Sequence, residues 1–410
     1  TNPATRATWQ QARQAALAVG MVEATFLPIL TASVIGGQQE LATPLPDVLG
    51  RSPSLDSTEK GTTQILALQW LMFDFGQRQA LASAAKHMAI AANILFNGSH
   101  QKLIFEVSQA YYLYGAAIER RTFAETAWRN AQAIQAAVEG RRAQGLATTV
   151  ETAQASQAVA QAELRRVLMD GEERDAYQVL LASVGVHRAL KVDATSAAGR
   201  PLPEPSSAPI EATIQQALAQ RPDVAASYAA MQASKAGVEA ARADYLPKVY
   251  AVGNLAWGSG DFDVSGLPTI GQQGSGNGLL LGVSVPLYDA GLREARVKGA
   301  ESRAAMAEDE FHRVQTAALT EVVVARNALR TALESYRAAT SLVAAASTTY
   351  DAALAAYRNG VGTVDVATAA DTALLDARQA QVDAHAASLI GAVKLAFVIG
   401  SLTSRESGFK

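Results

Sequence analysis

The chain has 410 residues, 49% of them hydrophobic, a formal net charge of −3 and no cysteine. That balance argues against a nucleic-acid binder, and the missing thiols exclude disulfides and thiolate metal sites while fitting an oxidising compartment and many cytosolic proteins alike. No stretch of about 18 residues is both uncharged and continuously apolar, so a membrane-spanning helix is not expected.

Residues 4–25 are alanine-rich with a helical pattern that Pro28 closes. Strand 29–36 follows, with Leu30, Ala32 and Val34 on one side and Thr31 and Ser33 on the other. The glycines and prolines of 36–61 read as a loop. Strand 63–73 then alternates Leu66, Leu68, Trp70 and Met72 against Ala67 and Gln69, so one face is apolar and the other small or polar. Asp74 and Gly76 form a strand-to-helix junction, and a helical pattern runs on to about Ala143, a rod on the order of 100 Å. Asn97-Gly98-Ser99 is its weak point, where a kink is expected. Gly145 breaks the rod, and Thr148 with Glu151 spells a capping box that starts the return helix, which fades between Val186 and residue 190.

Residues 199–220 are a connector that opens on a proline-rich stretch. Helix 210–244 then leads through Pro247 to strand 248–258, a glycine-rich loop over 258–278 and strand 278–288. In that last strand Leu281, Val283, Val285 and Leu287 share the apolar face, opposite Gly282 and Ser284. Pro286 has no amide hydrogen and ends the ladder, and Asp289 stands where a helix start wants an acceptor. From Gly291 a second long helix runs to about Tyr357, the turn 358–362 reverses it, and a last helix runs to about residue 400.

The order is a duplication. At an offset of 215, Leu66, Leu68, Trp70 and Met72 fall under Leu281, Val283, Val285 and Leu287, and Asp74 and Gly76 fall under Asp289 and Gly291. At an offset of 219, Asn2-Pro3 falls under Arg221-Pro222 and Phe26-Leu27-Pro28 under Tyr245-Leu246-Pro247. A length change therefore sits between the paired strands. The organisation expected is a first repeat over 1–198, the connector and a second repeat over 221–410. Because the partner of Asn2-Pro3 lies well inside the second half, the chain is expected to be truncated before Thr1.

Four strands with one apolar face leave open edges, and a closed membrane barrel needs about eight or more. Several copies would supply them, with the apolar face toward lipid and the long helices side by side in water. Leu246-Pro247, the run at 282–291, the paired Asn2-Pro3 and Arg221-Pro222, and the turns at Gly145 and Gly360 resemble the TolC-type outer-membrane factor family over both halves. The resemblance implies a mainly α fold in a homotrimer, with a shared twelve-stranded barrel and a trimeric α-barrel. It also implies an exit duct in the bacterial outer membrane that extends into the periplasm. That duct would serve a tripartite efflux or type I secretion system, with a periplasmic adaptor and an inner-membrane transporter as partners. No cofactor and no enzymatic activity are implied, and the cargo (drug, metal or protein) stays open.

The resemblance further implies a pore gate near the second turn. Asp365 matches its first acidic position, Thr368 occupies the second, and Asp371 lies one turn on. Glu151 is the fourth gate candidate; Asp365 equally reads as an early-turn acid behind a Thr363 cap, and Glu151 reads more readily as a cap. The adaptor-docking tips would comprise Arg142, Gly145, Leu146, Thr148, Arg358, Gly360, Val361 and Gly362. Arg141, Arg142 and Arg358 would either latch the tips by binding carbonyls and acids or compensate helix dipoles. Trp70 and Trp257 read as interfacial aromatics or as packing residues. The five histidines are scattered, and the phosphate-loop and nucleophile-elbow motifs are absent. A soluble periplasmic coiled-coil scaffold or adaptor without a pore is the competing reading.

Overall fold

The computed structural model describes residues 2–44, 54–185, 199–204, 209–264 and 267–402. Its elements repeat with the two sequence offsets. Helix α1 (Pro3–Ala24) matches α5 (Pro222–Ala243) at 22 residues each, α2 (Gln77–Ala143) matches α6 (Leu292–Arg358) at 67, and α3 (Thr149–Val184) matches α7 (Val364–Ile399) at 36. Strands β1 (Ile29–Pro44), β2 (Ser54–Phe73), β3 (Lys248–Val264) and β4 (Ile270–Ser284) form one antiparallel sheet in that order. Helix α4 (Ile210–Gln220) has no counterpart among the described residues. The chain divides into two compact units, and each draws on both repeats: residues 1–11, 92–227 and 311–410 form the first, and 12–91 and 228–310 the second.

In the second unit the ladders reach further than the alternation predicts. Residues 36–44 and 54–61 belong to β1 and β2, so of the loop expected over 36–61 only 45–53 lie outside the described residues. Likewise β3 runs to Val264 and β4 starts at Ile270, so most of the glycine-rich loop at 258–278 is strand, and residues 265 and 266 lie outside the described residues. Glycine disfavours a strand but does not forbid one when both neighbours supply a ladder. At Gly260 a Cβ would stand 2.6 Å from the Lys60 carbonyl oxygen, so this close crossing of β2 and β3 requires glycine.

The register puts Leu30, Leu68, Gly253 and Leu279 in one row and Trp70, Ala251 and Leu281 in the next. Leu66, Leu68, Trp70, Leu281 and Val283 share this face as expected. Met72 does not, because a bulge between Leu71 and Phe73 shifts the alternation and pairs Phe73 with Val249 instead. Strand β4 also ends at Ser284 rather than 288. Val285 and Leu287 lie beyond the ladder, since Pro286 cannot donate to it and an edge strand has no second neighbour to hold it. The Trp70 indole donates to the Phe26 carbonyl at 2.9 Å, and that of Trp257 donates to Gln64.

Both junctions are built alike. Phe75 and Ala290 have φ of 52° and 55°, and Gly76 and Gly291 follow at 99° and 86°. These left-handed pairs turn the chain from strand to helix, and the Asp74 carboxylate accepts the Arg78 amide at 2.9 Å as that of Asp289 accepts the Arg293 amide at 3.0 Å. Arg78 closes the first junction: its guanidinium lies 2.8 Å from Asp74, donates to the Thr25 carbonyl at 2.7 Å and covers the Phe26 ring. Pro28 and Pro247 each stand directly before a strand.

The first unit is helical, with an alanine-rich core in which α7 is the most buried helix. By length and composition alone α7 could cross a membrane, contrary to the expectation from the sequence. It is a core helix here: Leu374, Leu375, Leu389 and Val393 are buried within this unit. Helix α2 continues through Asn97-Gly98-Ser99. The glycine serves close packing instead of a kink, since a Cβ would stand 2.9 Å from Pro222. The helix expected over 210–244 is two, α4 and α5, divided at Arg221 because Pro222 restricts the residue before it. Helix α3 stops at a left-handed Gly185, and residues 186–198, including the expected run to 190, lie outside the described residues, as do 205–208 of the connector.

Each repeat's opening dipeptide clamps the end of its own return helix. Asn2 donates to the Ser183 carbonyl at 3.2 Å beside Gly185. Arg221 donates to the Val398 carbonyl at 3.3 Å and pairs with Asp223 and Glu321 at 2.6 and 2.8 Å.

Candidate functional site at the hairpin tips

Both helical hairpins turn within the first unit. At the first turn Gly145 has φ 75°, its amide bonds the Arg142 carbonyl at 2.9 Å, and the Leu146 amide bonds that of Arg141 at 2.9 Å. These bonds satisfy carbonyls that a helix end leaves open. Helix α3 then starts on a complete capping box: the Thr148 hydroxyl accepts the Glu151 amide at 3.2 Å, and the Glu151 carboxylate accepts the Thr148 amide at 2.6 Å. The Thr148 backbone bond holds that carboxyl below its ordinary value. The Glu151 carboxylate is thus engaged by its cap.

The second turn uses Gly360 at φ 78°, whose amide bonds the Tyr357 carbonyl at 3.0 Å. The Val361 and Gly362 amides both reach the Ala356 carbonyl at 3.0 Å. A Cβ on Gly362 would stand 2.9 Å from the Tyr357 nitrogen, so this turn closes too tightly for a larger residue. Thr363 caps α7 alone, accepting the Val366 amide at 3.4 Å. Val361 and Leu146 are exposed at the two ends.

The structure brings the two turns together through residues the sequence did not single out as a pair. Tyr357 is 1% exposed and packs with Ile134, Val138, Ala155, Val364 and Ala367. Arg141 donates to the Tyr357 carbonyl at 3.0 Å, and its guanidinium lies 5.1 Å from the centre of the Tyr357 ring. Of the three arginines considered as latches, Arg141 makes this contact. Arg142 and Arg358 are exposed in the last turns of α2 and α6, where cations complement the helix dipole.

Above the turns, α2, α3 and α7 enclose a cleft of about 300 Å³. Asp365, Thr368 and Asp371 line it, facing Gln154, Gln157 and Gln161 of α3. Asp365 is exposed in the first turn of α7, and the Thr368 hydroxyl donates back to its carbonyl at 3.1 Å. Asp371 is buried and accepts a bond of 2.8 Å from the Asn130 amide. Burial raises its pKa, against the opposing effects of Asn130 and the Arg378 charge. An ion pair of 3.2 Å between Arg165 and Asp376 ties α3 to α7 beside the cleft. Asn130 was not anticipated, and Tyr357 was legible only as the residue where the second long helix ends, although the glutamines three and four residues apart along α3 already mark a polar helix face.

The cleft is acidic and amide-rich. Its carboxylates can attract cations. Among the described residues no group of three or more His, Asp or Glu side chains could hold a metal ion.

The family model described as outer membrane efflux protein matches residues 1–186 and 213–401. The chain is 27% identical over 336 residues to outer membrane protein OprJ of Pseudomonas aeruginosa, covering 82% of this chain and 68% of that protein. Over 332 residues it is 25% identical to cation efflux system protein CusC of Escherichia coli K12, covering 80% of this chain and 70% of that one. A crystal structure of the CmeC outer membrane channel of Campylobacter jejuni superposes with a TM-score of 0.79 at 19% identity, covering 99% of this chain and 85% of that chain.

Proposed function

The chain belongs to the outer membrane efflux protein family, and from that premise we propose that it forms a homotrimeric duct whose periplasmic end is gated at the hairpin tips. It resides in the bacterial outer membrane, extends into the periplasm and acts as the exit duct of an efflux system, a reading supported by its family and by its likeness to outer membrane protein OprJ and cation efflux system protein CusC. Its substrates would pass through without a bond being made or broken. A periplasmic adaptor and an inner-membrane transporter would complete the assembly, with exposed Leu146 and Val361 on the edge the adaptor meets.

One observation carries the reading. The sheet exposes Leu30, Val34, Leu279, Leu281 and Val283 on one face, with Ile29 and Leu280 exposed on the other, and each of its two outer strands pairs on one side alone. A soluble scaffold would have to hide that face, whereas lipid favours it. At the tips, Asp365 lines the cleft and also sits in the helix's first turn, where the dipole favours an acid. We assign it to the gate together with Thr368 and Asp371, and Glu151 to its cap. Three copies would set three Asp365 carboxylates around one axis, a charge that attracts cations and resists dehydration.

The mass of the detergent-solubilised protein and its single-channel conductance in planar bilayers test the duct. A trimer with a small resting conductance is expected. A protein that is soluble without detergent and silent in bilayers would replace the duct with the scaffold. For the gate, Asp365→Ala should raise the resting conductance or weaken block by multivalent cations; unchanged conductance and block would remove Asp365 from it.

A further inference from the structure

The sheet's second face is not polar throughout. The two hairpins share a register, since by the offsets Leu30 opposite Leu68 becomes Val249 opposite Val283 and both pairs are present, so each row can be followed across the strands. On the face opposite Leu68 and Leu281, the row nearest the helices sets Leu71 against Tyr250 and Tyr250 against Gly282, and the next row holds Ile29, Gln69, Val252 and Leu280. Gln69 and the Tyr250 hydroxyl are the only polar groups among these side chains. Ile29 and Leu280 are 61% and 69% exposed, and Tyr250 is exposed as well.

Two features make this band a place to bind. The Tyr250 ring has a seat: a Cβ at Gly282 would stand 2.6 Å from its hydroxyl oxygen, so the ring fills the space that glycine leaves and lies across β4. Unpaired charge is also far away. Lys248, one row toward the helices, is neutralised by Asp244 at 2.7 Å. In the other direction the first charged side chain on this face, among the described residues, is Glu59, ten residues along β2 from Gln69 or about 33 Å. The row directly above the band carries Thr31, Ala67, Asn254 and Gly278, which offer a hydroxyl and an amide.

We propose that these two rows form an apolar collar on the inner wall of the duct, where amphiphilic organic molecules bind in transit. Their apolar body would lie against Ile29, Leu280 and the Tyr250 ring, and their polar end would turn toward Thr31 and Asn254. The inference rests on the duct reading, which sets Leu281 toward lipid and therefore Leu280 toward the lumen. Copies added around the ring extend the collar without covering it, and lipid stays on the far side of the strands. Only what travels the duct reaches it. An exposed apolar patch marks a binding surface, and this one suits neither a metal ion, which needs carboxylate, imidazole or sulfur ligands, nor a polyanion, which needs cations.

The chain contains no cysteine, so single cysteines report without background. Leu280→Cys, Ile29→Cys, Ser33→Cys two rows further up the same face, and Leu281→Cys on the lipid face would each be reconstituted as the full chain in lipid vesicles. They would be labelled with a charged, water-soluble thiol reagent in the presence of tetraphenylphosphonium or tetramethylammonium, which carry the same charge and differ in apolar body. Leu280→Cys and Ile29→Cys should label, and tetraphenylphosphonium should slow them several-fold while tetramethylammonium does not. Ser33→Cys should label without protection, and adding Tyr250→Ala to Leu280→Cys should keep the labelling and lose most of the protection. Equal rates with the two competitors, or equal protection of Ser33→Cys, would overturn the collar as a binding site. So would failure of both Leu280→Cys and Ile29→Cys to label, since lipid or protein would then cover them; either result leaves the duct standing. Leu281→Cys labelling as fast as Leu280→Cys would overturn the duct reading itself.

Discussion

From Gly145 to Glu151 the first hairpin turn reads Gly-Leu-Ala-Thr-Thr-Val-Glu, and from Gly360 to Val366 the second reads Gly-Val-Gly-Thr-Val-Asp-Val, in step at the offset of 215. Both glycines are left-handed, and both threonines cap a helix of 36 residues. The side chains then part ways. The first tip keeps the reciprocal capping box, while the second has Val366 in the place of Glu151 and an acid, Asp365, in the place of Val150. Tyr357 in the buried cluster stands where the first repeat has exposed Arg142, and Asp371 where it has Ser156. The backbone of a tip is thus specified twice, but the acids at positions 365 and 371 are specified once. The first tip is built to stay closed upon itself, and the second supplies the acids and the ring that Arg141 holds.

The largest effect should come from the buried ring. Tyr357→Ala empties the centre of the cluster and should cost about 3–5 kcal/mol. Arg142→Ala, at the matched position, should leave the unfolding midpoint of the detergent-solubilised protein unchanged. Equal losses would mean that the two tips share the core and the contrast is wrong.

A smaller difference is expected at the caps. Thr148→Ala should cost about 1 kcal/mol and free the Glu151 carboxylate, while Thr363→Ala, whose bond is longer and unreciprocated, should cost less. Val366→Glu would rebuild the missing half of the box, and slower amide exchange over the first turn of α7 would show that the second tip had acquired the first tip's rigidity.

The smallest effect is a pH dependence. Because burial raises the Asp371 pKa from its ordinary 3.8, the folded protein retains this proton where the unfolded chain has lost it. The site's contribution to stability is therefore greatest below 3.8, falls as pH rises toward the raised value, and is constant above it. Asp371→Asn keeps an acceptor for Asn130 and removes that loss. It should be more stable than the parent at neutral pH and converge with it in acid. Parallel pH profiles of thermal unfolding would show that Asp371 is not destabilised by burial.

Much of this was legible before folding. Period-two alternation at Leu66, Leu68 and Trp70 marked an apolar sheet face, and the punctuation at Pro28, Gly145 and Gly360 marked where elements end, because these signals are local. The strand lengths were not, since the glycine-rich stretches at 36–44 and 270–278 are strands only by virtue of the ladders beside them. Nor was the bulge at Met72, which depends on how two strands meet. Asp365 and Asp371 could be named as acids near a turn, yet only packing makes one exposed and the other buried.

The sequence by itself determined the repeat, the order and kind of its elements and the composition of each face, because propensity and periodicity act within a few residues. The tertiary structure decided what sequence spacing cannot express. It set the register that makes the two hairpins equivalent and the approach of Pro222 that requires Gly98. It also joined Arg141 to Tyr357 across 216 residues of chain. Each of these depends on contacts between segments far apart in sequence, and such contacts exist only once the helices and strands have packed.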